Sequence, residues 1–312
     1  MYRIGIDLGG TNIVAGVVDD EFRIVATAKC KTRIPRPAEE IVVDMARMAK
    51  EAVQNAGLTM ADIAYVGVGS PGTCNADTGI VEYSNNLQFE KLPLRDMLGG
   101  MLDKAVYIEN DANAAALGEM SQGGGKGARN VVFVTLGTGV GGGVIVDGRL
   151  LAGVHGAGGE IGHIKVRPGD DRVCGCGKTG CLEQYASATG LVRSAKALLA
   201  DPAVKTSLRS CADLTCTDVF DCAKAGDEAA LRLVDEMADL LGQALAAVSC
   251  VCDPEVIVVG GGVARAGQML LDRMAAAFRR YAFPAAEETR FALAALGNDA
   301  GIWGSVQMVR GA

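Results

Sequence analysis

Apolar residues gather along this chain in short runs that end in glycine. Between them lie longer stretches where apolar positions recur at helical spacing. Residues 4–7 read as a buried strand, 8–12 as a turn, 13–18 as the next strand and 23–31 as a third. Pro35 and Pro37 break the chain. Ile41, Val42, Met45, Ala49, Ala52, Val53 and Ala56 then share one helical face, and Gly57 ends that helix. Residues 63–68 form a strand, and a polar loop with Asn85-Asn86 leads to a helix near 94–102. A strand at 105–109 precedes an alanine-rich helix that opens at 110–113 and runs through Leu117. Strands 130–136 and 140–146 flank Gly137-Thr138-Gly139.

Farther on, helices are predicted near 185–199, near 216–224 with Thr215 or Thr217 as cap, and over 228–248. The last of these buries Leu231, Val234, Leu241, Leu245 and Val248. Strand 256–259 ends in Gly260-Gly261-Gly262, and a helix passes through Met269, Met274 and Phe278. A strand at 290–295 and a helix from the 297–301 glycine turn to about Val309 complete the pattern. Strands alternating with helices in both halves indicate α/β domains. Residues 6–18 and 134–146 align without gaps, Leu8 on Leu136 and Gly9 on Gly137, so two related domains are expected, each starting with a hairpin around a glycine turn.

Composition narrows the function classes. With aromatics at 4% and a net charge of −7, the chain suits neither base stacking nor binding to a phosphate backbone, so no nucleic-acid partner is expected. Asp7 interrupts the N-terminal apolar run and the other apolar runs are strand-length, so no signal peptide and no membrane span are expected. Ten cysteines without a secretory signal point to a reducing cytoplasm. Cys30, Cys74, Cys211, Cys216, Cys222, Cys250 and Cys252 are expected to act as small buried hydrophobes.

The remaining three cysteines fall in the stretch 155–183, with both histidines of the chain. Cys174, Cys176 and Cys181 are spaced C-x-C-x4-C among glycines, with His163 upstream. Three thiolates and an imidazole make a closed tetrahedral zinc set, whereas a C-x-C disulfide is geometrically poor. The pinned loop carries Glu160 and Glu183, and a metal-bound His163 has its second ring nitrogen fixed. Rigid polar groups of this kind suit a polyhydroxylated ligand such as a sugar. His155 is expected to be structural.

Glycine turns expose backbone N–H groups that cradle phosphate oxygens. Three occur here: Gly9-Gly10, Gly137–Gly139 and Gly260–Gly262, with Thr11 and Thr138 adding hydroxyls. Asp7, just before its turn, is placed to hold magnesium or its waters. Gly137-x-Gly139-x-x-Gly142 fits the dinucleotide fingerprint, but a strand follows where that fingerprint requires a helix. Gly177-Lys178-Thr179 resembles the end of a Walker A loop, yet Arg172 stands where its first glycine belongs. Asp111, between strand and helix, has two readings: a general base for a hydroxyl attacking phosphorus, or a plain N-cap.

Six motifs carry a resemblance over nearly the whole length: Asp7-Leu-Gly-Gly-Thr-Asn12, Glu109-Asn-Asp-Ala-Asn113, Leu136-Gly-Thr-Gly-Val-Gly-Gly-Gly143, His155-Gly-Ala-Gly-Gly-Glu-Ile-Gly-His163, Cys174-Gly-Cys-Gly-Lys-Thr-Gly-Cys-Leu-Glu183 and Gly260-Gly-Gly-Val263. The chain resembles the ROK family of bacterial sugar kinases and sugar-responsive repressors, most closely its glucokinase branch. The resemblance implies a two-lobe actin/hexokinase-like (ribonuclease H-like) α/β fold with a central ligand cleft. The small lobe would span residues 1–112 and 297–312. The large lobe would span 113–296 and carry the zinc loop 155–183.

The same resemblance implies ATP-dependent phosphorylation of D-glucose at its 6-hydroxyl, with Asp111 as catalytic base. Gly72, Asn110, Asp111, Glu160, His163 and Glu183 would bind the sugar. Asp7, Gly9, Gly10, Thr11, Asn12, Thr138, Gly139, Gly261 and Gly262 would bind ATP and Mg2+. His163, Cys174, Cys176 and Cys181 would hold a structural Zn2+. A homodimer or homotetramer is implied. The alternatives are a kinase for N-acetylglucosamine, N-acetylmannosamine, fructose or allose, and a non-catalytic sugar sensor. Against the sensor, the chain starts at the first strand, where the family's repressors carry a DNA-binding arm.

Overall fold

The computed structural model describes residues 1–308. Strands β1 (Tyr2–Leu8), β2 (Asn12–Val18) and β3 (Ile24–Lys31) form an antiparallel meander. Helix α1 (Ala38–Asn55) leads to β4 (Ile63–Ser70), which returns parallel to β1. A small separate sheet, β5 (Thr73–Asn75), β6 (Ile80–Ser84) and β7 (Phe89–Leu92), precedes α2 (Leu94–Leu102) and β8 (Val106–Asn110). The first large sheet has the order β3-β2-β1-β4-β8.

Helix α3 (Asp111–Gln122) then leads to β9 (Val131–Leu136), β10 (Val140–Val146) and β11 (Arg149–Leu150). Helices α4 (Glu183–Ala186), α5 (Ala188–Leu199), α6 (Cys216–Lys224) and α7 (Glu228–Cys252) follow. Strand β12 (Val256–Gly260), helix α8 (Gln268–Tyr281) and β13 (Arg290–Leu293) complete the second sheet, ordered β11-β10-β9-β12-β13. Each sheet joins two antiparallel pairings to two parallel ones in the same order. The expected duplication is therefore present in the wiring as well as in the hairpins.

The central strands alternate large with small side chains rather than apolar with polar. Ile4, Ile6, Val66 and Val68 face a core shared with α1 and α2. Gly5 and Gly67 face the other way, where a methyl group would overlap the backbone carbonyls of Ile302 and Ser305. Those two residues belong to α9 (Ala300–Ser305), which lies flush on that glycine face. It also crosses α3 closely: a methyl group at Gly304 would overlap the Ala114 carbonyl, and one at Gly118 the Ala300 carbonyl. A second core gathers beneath α5 to α8.

Several elements differ from the sequence expectation. The small sheet within 73–92 replaces an expected polar loop; its strands are too short to show a period. The helix expected near 185–199 is broken at Ser187, whose extended backbone (φ −87°, ψ 168°) and hydroxyl cap α5 at Gly190. Thr215, not Thr217, caps α6, in a reciprocal pair with Asp218. Helix α7 runs beyond 248 to Cys252 and stops at Asp253 in the left-handed region. Strand β13 ends at Leu293 and α9 at Ser305; residues 309–312, assigned to the last helix and the small lobe, lie outside the described residues. Of the seven cysteines expected in cores only Cys74 is buried, and Cys250 is exposed because it falls on the outer face of α7. His155, expected to be structural, is exposed in its loop.

Candidate active site

Strand β8 delivers Asn110 and Asp111 to the start of α3. The Asn110 side chain caps the helix, accepting from the N–H groups of Ala112 (2.9 Å) and Asn113 (3.2 Å). Its Nδ2 donates to the Gly72 carbonyl at 2.9 Å, so both residues expected at the sugar site are joined. Glu109 is buried and accepts from Asn110 N (2.9 Å) and Asn113 Nδ2 (3.1 Å). The Asp111 carboxylate accepts from Ala112 N at 2.9 Å. With capping done by its neighbour, the Asp111 carboxylate retains free acceptor capacity in a half-buried position. Burial raises its pKa above the ordinary 3.8; backbone hydrogen bonds partly oppose this, and the Glu160 charge adds to it.

Asp7, near the end of β1, lies within electrostatic reach of the same carboxylate. Burial first, then the Asp111 charge, push Asp7 from 3.8 up to about 7. Its turn is closed by Gly9 N donating to Asn12 O at 2.9 Å and by the Thr32 hydroxyl on the Gly9 carbonyl at 2.6 Å. Thr11 and Asn12 are exposed there.

The second turn, between β9 and β10, meets the third. Gly260 pairs with Thr135, and Gly261 (φ 84°) packs so tightly on Leu136 that a side chain would collide with its backbone. A cavity of about 440 Å³ opens beside them, lined by Gly137, Thr138, Gly262, Val263 and Arg265 and by one face of α6. That face presents Cys216, Thr217, Phe220, Asp221 and Lys224, which sequence reasoning missed. Their helical spacing was visible, but it reads equally well as an ordinary amphipathic helix.

The cysteine loop closes as a compact knot. His163 Nδ1 stands 3.5 Å from Cys174 Sγ, and Cys176 Sγ stands 3.7 Å from Cys181 Sγ. All four donor atoms lie within 4.8 Å of one another. Tetrahedral zinc with bonds of about 2.3 Å to sulfur and about 2.05 Å to nitrogen requires S···S near about 3.8 Å and S···N near about 3.6 Å. The two close contacts match those lengths. Gly180 (φ 69°) has the Arg167 carbonyl where a side chain would begin, and Lys165 Nζ donates to Thr179 O (2.6 Å) and Cys181 Sγ (2.9 Å).

From this knot His163 turns Nε2 toward Glu160 Oε2 at 3.7 Å. Glu183, the first residue of α4, accepts from Val140 N at 3.1 Å and receives the Cys174 thiol at 3.7 Å. Its carboxylate fills the space a side chain at Gly139 would need. Asp111 thus lies within electrostatic reach of both Asp7 and Glu160, and Glu160 lies beside His163, while Glu183 reaches the second glycine turn.

A two-sheet cleft bearing this site defines a class, and the chain belongs to the ROK family, whose model matches residues 3–312. It is 40% identical to a glucokinase of Halalkalibacterium halodurans, over 99% of this chain and 95% of the relative. It superposes on a ROK hexokinase from Thermus thermophilus with a TM-score of 0.85 at 34% identity, covering 99% of this chain and 98% of that one. A ROK glucokinase from Streptomyces griseus, solved with glucose and AMPPNP, gives a TM-score of 0.81 at 37% identity, with 99% of both chains covered.

Proposed function

We propose that this protein is an ATP-dependent hexose kinase that phosphorylates D-glucose to glucose 6-phosphate. The glucokinase relatives at this identity support the reaction. The observation that carries it is Asp111: a half-buried carboxylate, relieved of helix capping by Asn110, its pKa raised by burial and further by the Glu160 charge.

In this reading Asp111 accepts the proton of the sugar 6-hydroxyl while that oxygen bonds to the γ-phosphorus of ATP. The bond from that phosphorus to the β,γ-bridging oxygen breaks, so that ADP leaves. A raised pKa makes it a stronger base than an ordinary aspartate. Asn110, Gly72, Glu160, His163 and Glu183 orient the sugar hydroxyls. Gly10, Thr11 and Asn12 on one side, in the turn that Gly9 closes, and Thr138 and Gly139 on the other, hold the phosphates through backbone N–H and hydroxyl donors. Gly262 lines the cavity that takes the nucleoside, and Gly261 shapes its wall by packing on Leu136. Asp7 suits magnesium and its waters, because a dication offsets two neighbouring carboxylates. Bound Mg2+ supplies charge neutralisation of the triphosphate.

His163, Cys174, Cys176 and Cys181 suit Zn2+, which supplies a rigid cross-link that fixes His163 Nε2 and Glu160 beside the sugar. We take the lobes, expected to divide at 112/113 and 296/297, to part instead at the two crossings between the large sheets, 123–125 and 294–299; they close over both substrates and exclude water. Among the described residues no helix is long and apolar enough to cross a membrane. A cytoplasmic homodimer or homotetramer completes the reading. The test is ADP release with ATP, Mg2+ and a panel of hexoses. Glucose is expected to give the highest kcat/KM. Higher turnover of N-acetylmannosamine or another hexose would reassign the substrate, and no sugar-dependent release would overturn the kinase.

A further inference from the structure

The chain passes between the two large sheets twice: after α3, through a run of glycines at 123–125, and after β13, through 294–299. Both passages converge on Glu119, a fully buried residue of α3. Its Oε2 accepts from Gly124 N at 2.8 Å on the first passage and from Ala295 N at 2.9 Å on the second. Its Oε1 accepts from Leu296 N at 2.8 Å. Its backbone carbonyl receives Gly123 N (3.0 Å) and Gly125 N (2.9 Å). The glycines are required: a side chain at Gly123 would overlap the carboxylate, and one at Gly124 would stand 2.5 Å from the Leu293 carbonyl.

A buried carboxylate is an expensive way to fill space, and an apolar residue would pack as well. What a carboxylate fork provides, and an apolar residue cannot, is acceptance by two oxygens from three N–H groups on two separate segments. We propose that Glu119 is the pivot of lobe closure. It locks both crossings to α3, so that the helix carrying Asp111 at its start swings as one body about a fixed point. Glu119 is then a positioning residue that acts through Asp111, two turns away on the same helix. The proposal rests on the hexose-kinase reading. Turnover by the wild-type protein tests that reading, and the variant below tests the pivot.

Glu119→Gln keeps the shape but turns an NH2 group against a backbone N–H. The expected result is a kcat lowered about 10- to 100-fold, as for an approximately 1 Å misplacement of a reacting group. KM for glucose and ATP should stay within about threefold, because the residues assigned to both substrates are untouched. Glucose with a non-hydrolysable ATP analogue should also contract the variant less in small-angle scattering. It should perturb less the fluorescence of Trp303, the single tryptophan, on α9. A folded variant with wild-type kcat and contraction overturns the pivot. So does a kcat loss fully accounted for by the unfolded fraction. Hydrogen exchange on the wild-type protein gives an arm that needs no variant. Amides 124, 295 and 296 should stay equally protected with and without ligands while neighbouring segments change; deprotection on closure overturns the proposal.

Discussion

Glu183 accepts the Val140 N–H at 3.1 Å, so a residue two positions after the last cysteine of the knot is bonded to the end of the second glycine turn. One carboxylate therefore links the segment proposed to carry zinc with the turn proposed to hold phosphate. Glu183→Gln keeps the volume and weakens a charged acceptor, a change of about 1.5–3 kcal/mol for a hydrogen bond to a charged group. The expected outcome is a rise of about 10- to 100-fold in the KM for glucose together with a measurable rise in the KM for ATP. Steady-state kinetics with each substrate varied in turn checks it; a change confined to glucose would mean that the Val140 bond carries no coupling.

Asp111→Asn should lower kcat by about 10²–10⁴-fold. Stability should change little, because the α3 cap belongs to Asn110. Asn110→Ala should instead lower stability by about 0.5–2 kcal/mol, the usual cost of losing a cap, and also release the Gly72 carbonyl. Kinetics and thermal unfolding on the two variants separate the base from the cap. Near-normal turnover in the Asp111 variant would remove it from the chemistry.

Protein purified without chelator should contain close to one zinc per chain by elemental analysis. Cys176→Ser should lower that content and the melting temperature. The glucose KM should rise more than the ATP KM, because Glu160 and His163 hang on the knot while the first glycine turn does not. Full activity in zinc-free protein would show that the four donors serve another purpose.

Acid should weaken the fold partly through Asp227. Burial would raise this carboxyl, but the N–H groups of Ala230 and Ser207 and the hydroxyls of Ser207 and Thr206 outweigh that and hold it well below 3.8. Below about 3.8 the unfolded chain therefore binds a proton that the folded chain refuses. The stabilisation is complete above that pH and fades as pH falls toward the depressed folded value. Asp227→Asn should flatten this part of the pH dependence of urea unfolding between pH 5 and 3; an unchanged slope would exclude Asp227 as a source.

Much of this was legible because local rules and tertiary packing agree. The two hairpins announced themselves as matched glycine turns, and the structure repeats their surroundings strand for strand. The C-x-C-x4-C spacing with His163 placed four donors together before any coordinates. Asp111 could not be separated from a cap by sequence, since the decision depends on which of two neighbouring side chains bends back to the helix. Glu119 was invisible for another reason: its partners are backbone groups at 124, 295 and 296, and backbone N–H groups leave no mark in a sequence. The short strands of 73–92 and the break at Ser187 fall below the length at which periodicity speaks.

The glycine face of the first sheet is covered by α9, which comes from residues 300–305. During translation that face stays bare until residues 300–305 have emerged, even though its five strands are complete by residue 110. In order of synthesis the last strand of the second sheet, ending at Leu293, precedes the helix that covers the first, so the earlier-made sheet is the later one to be covered.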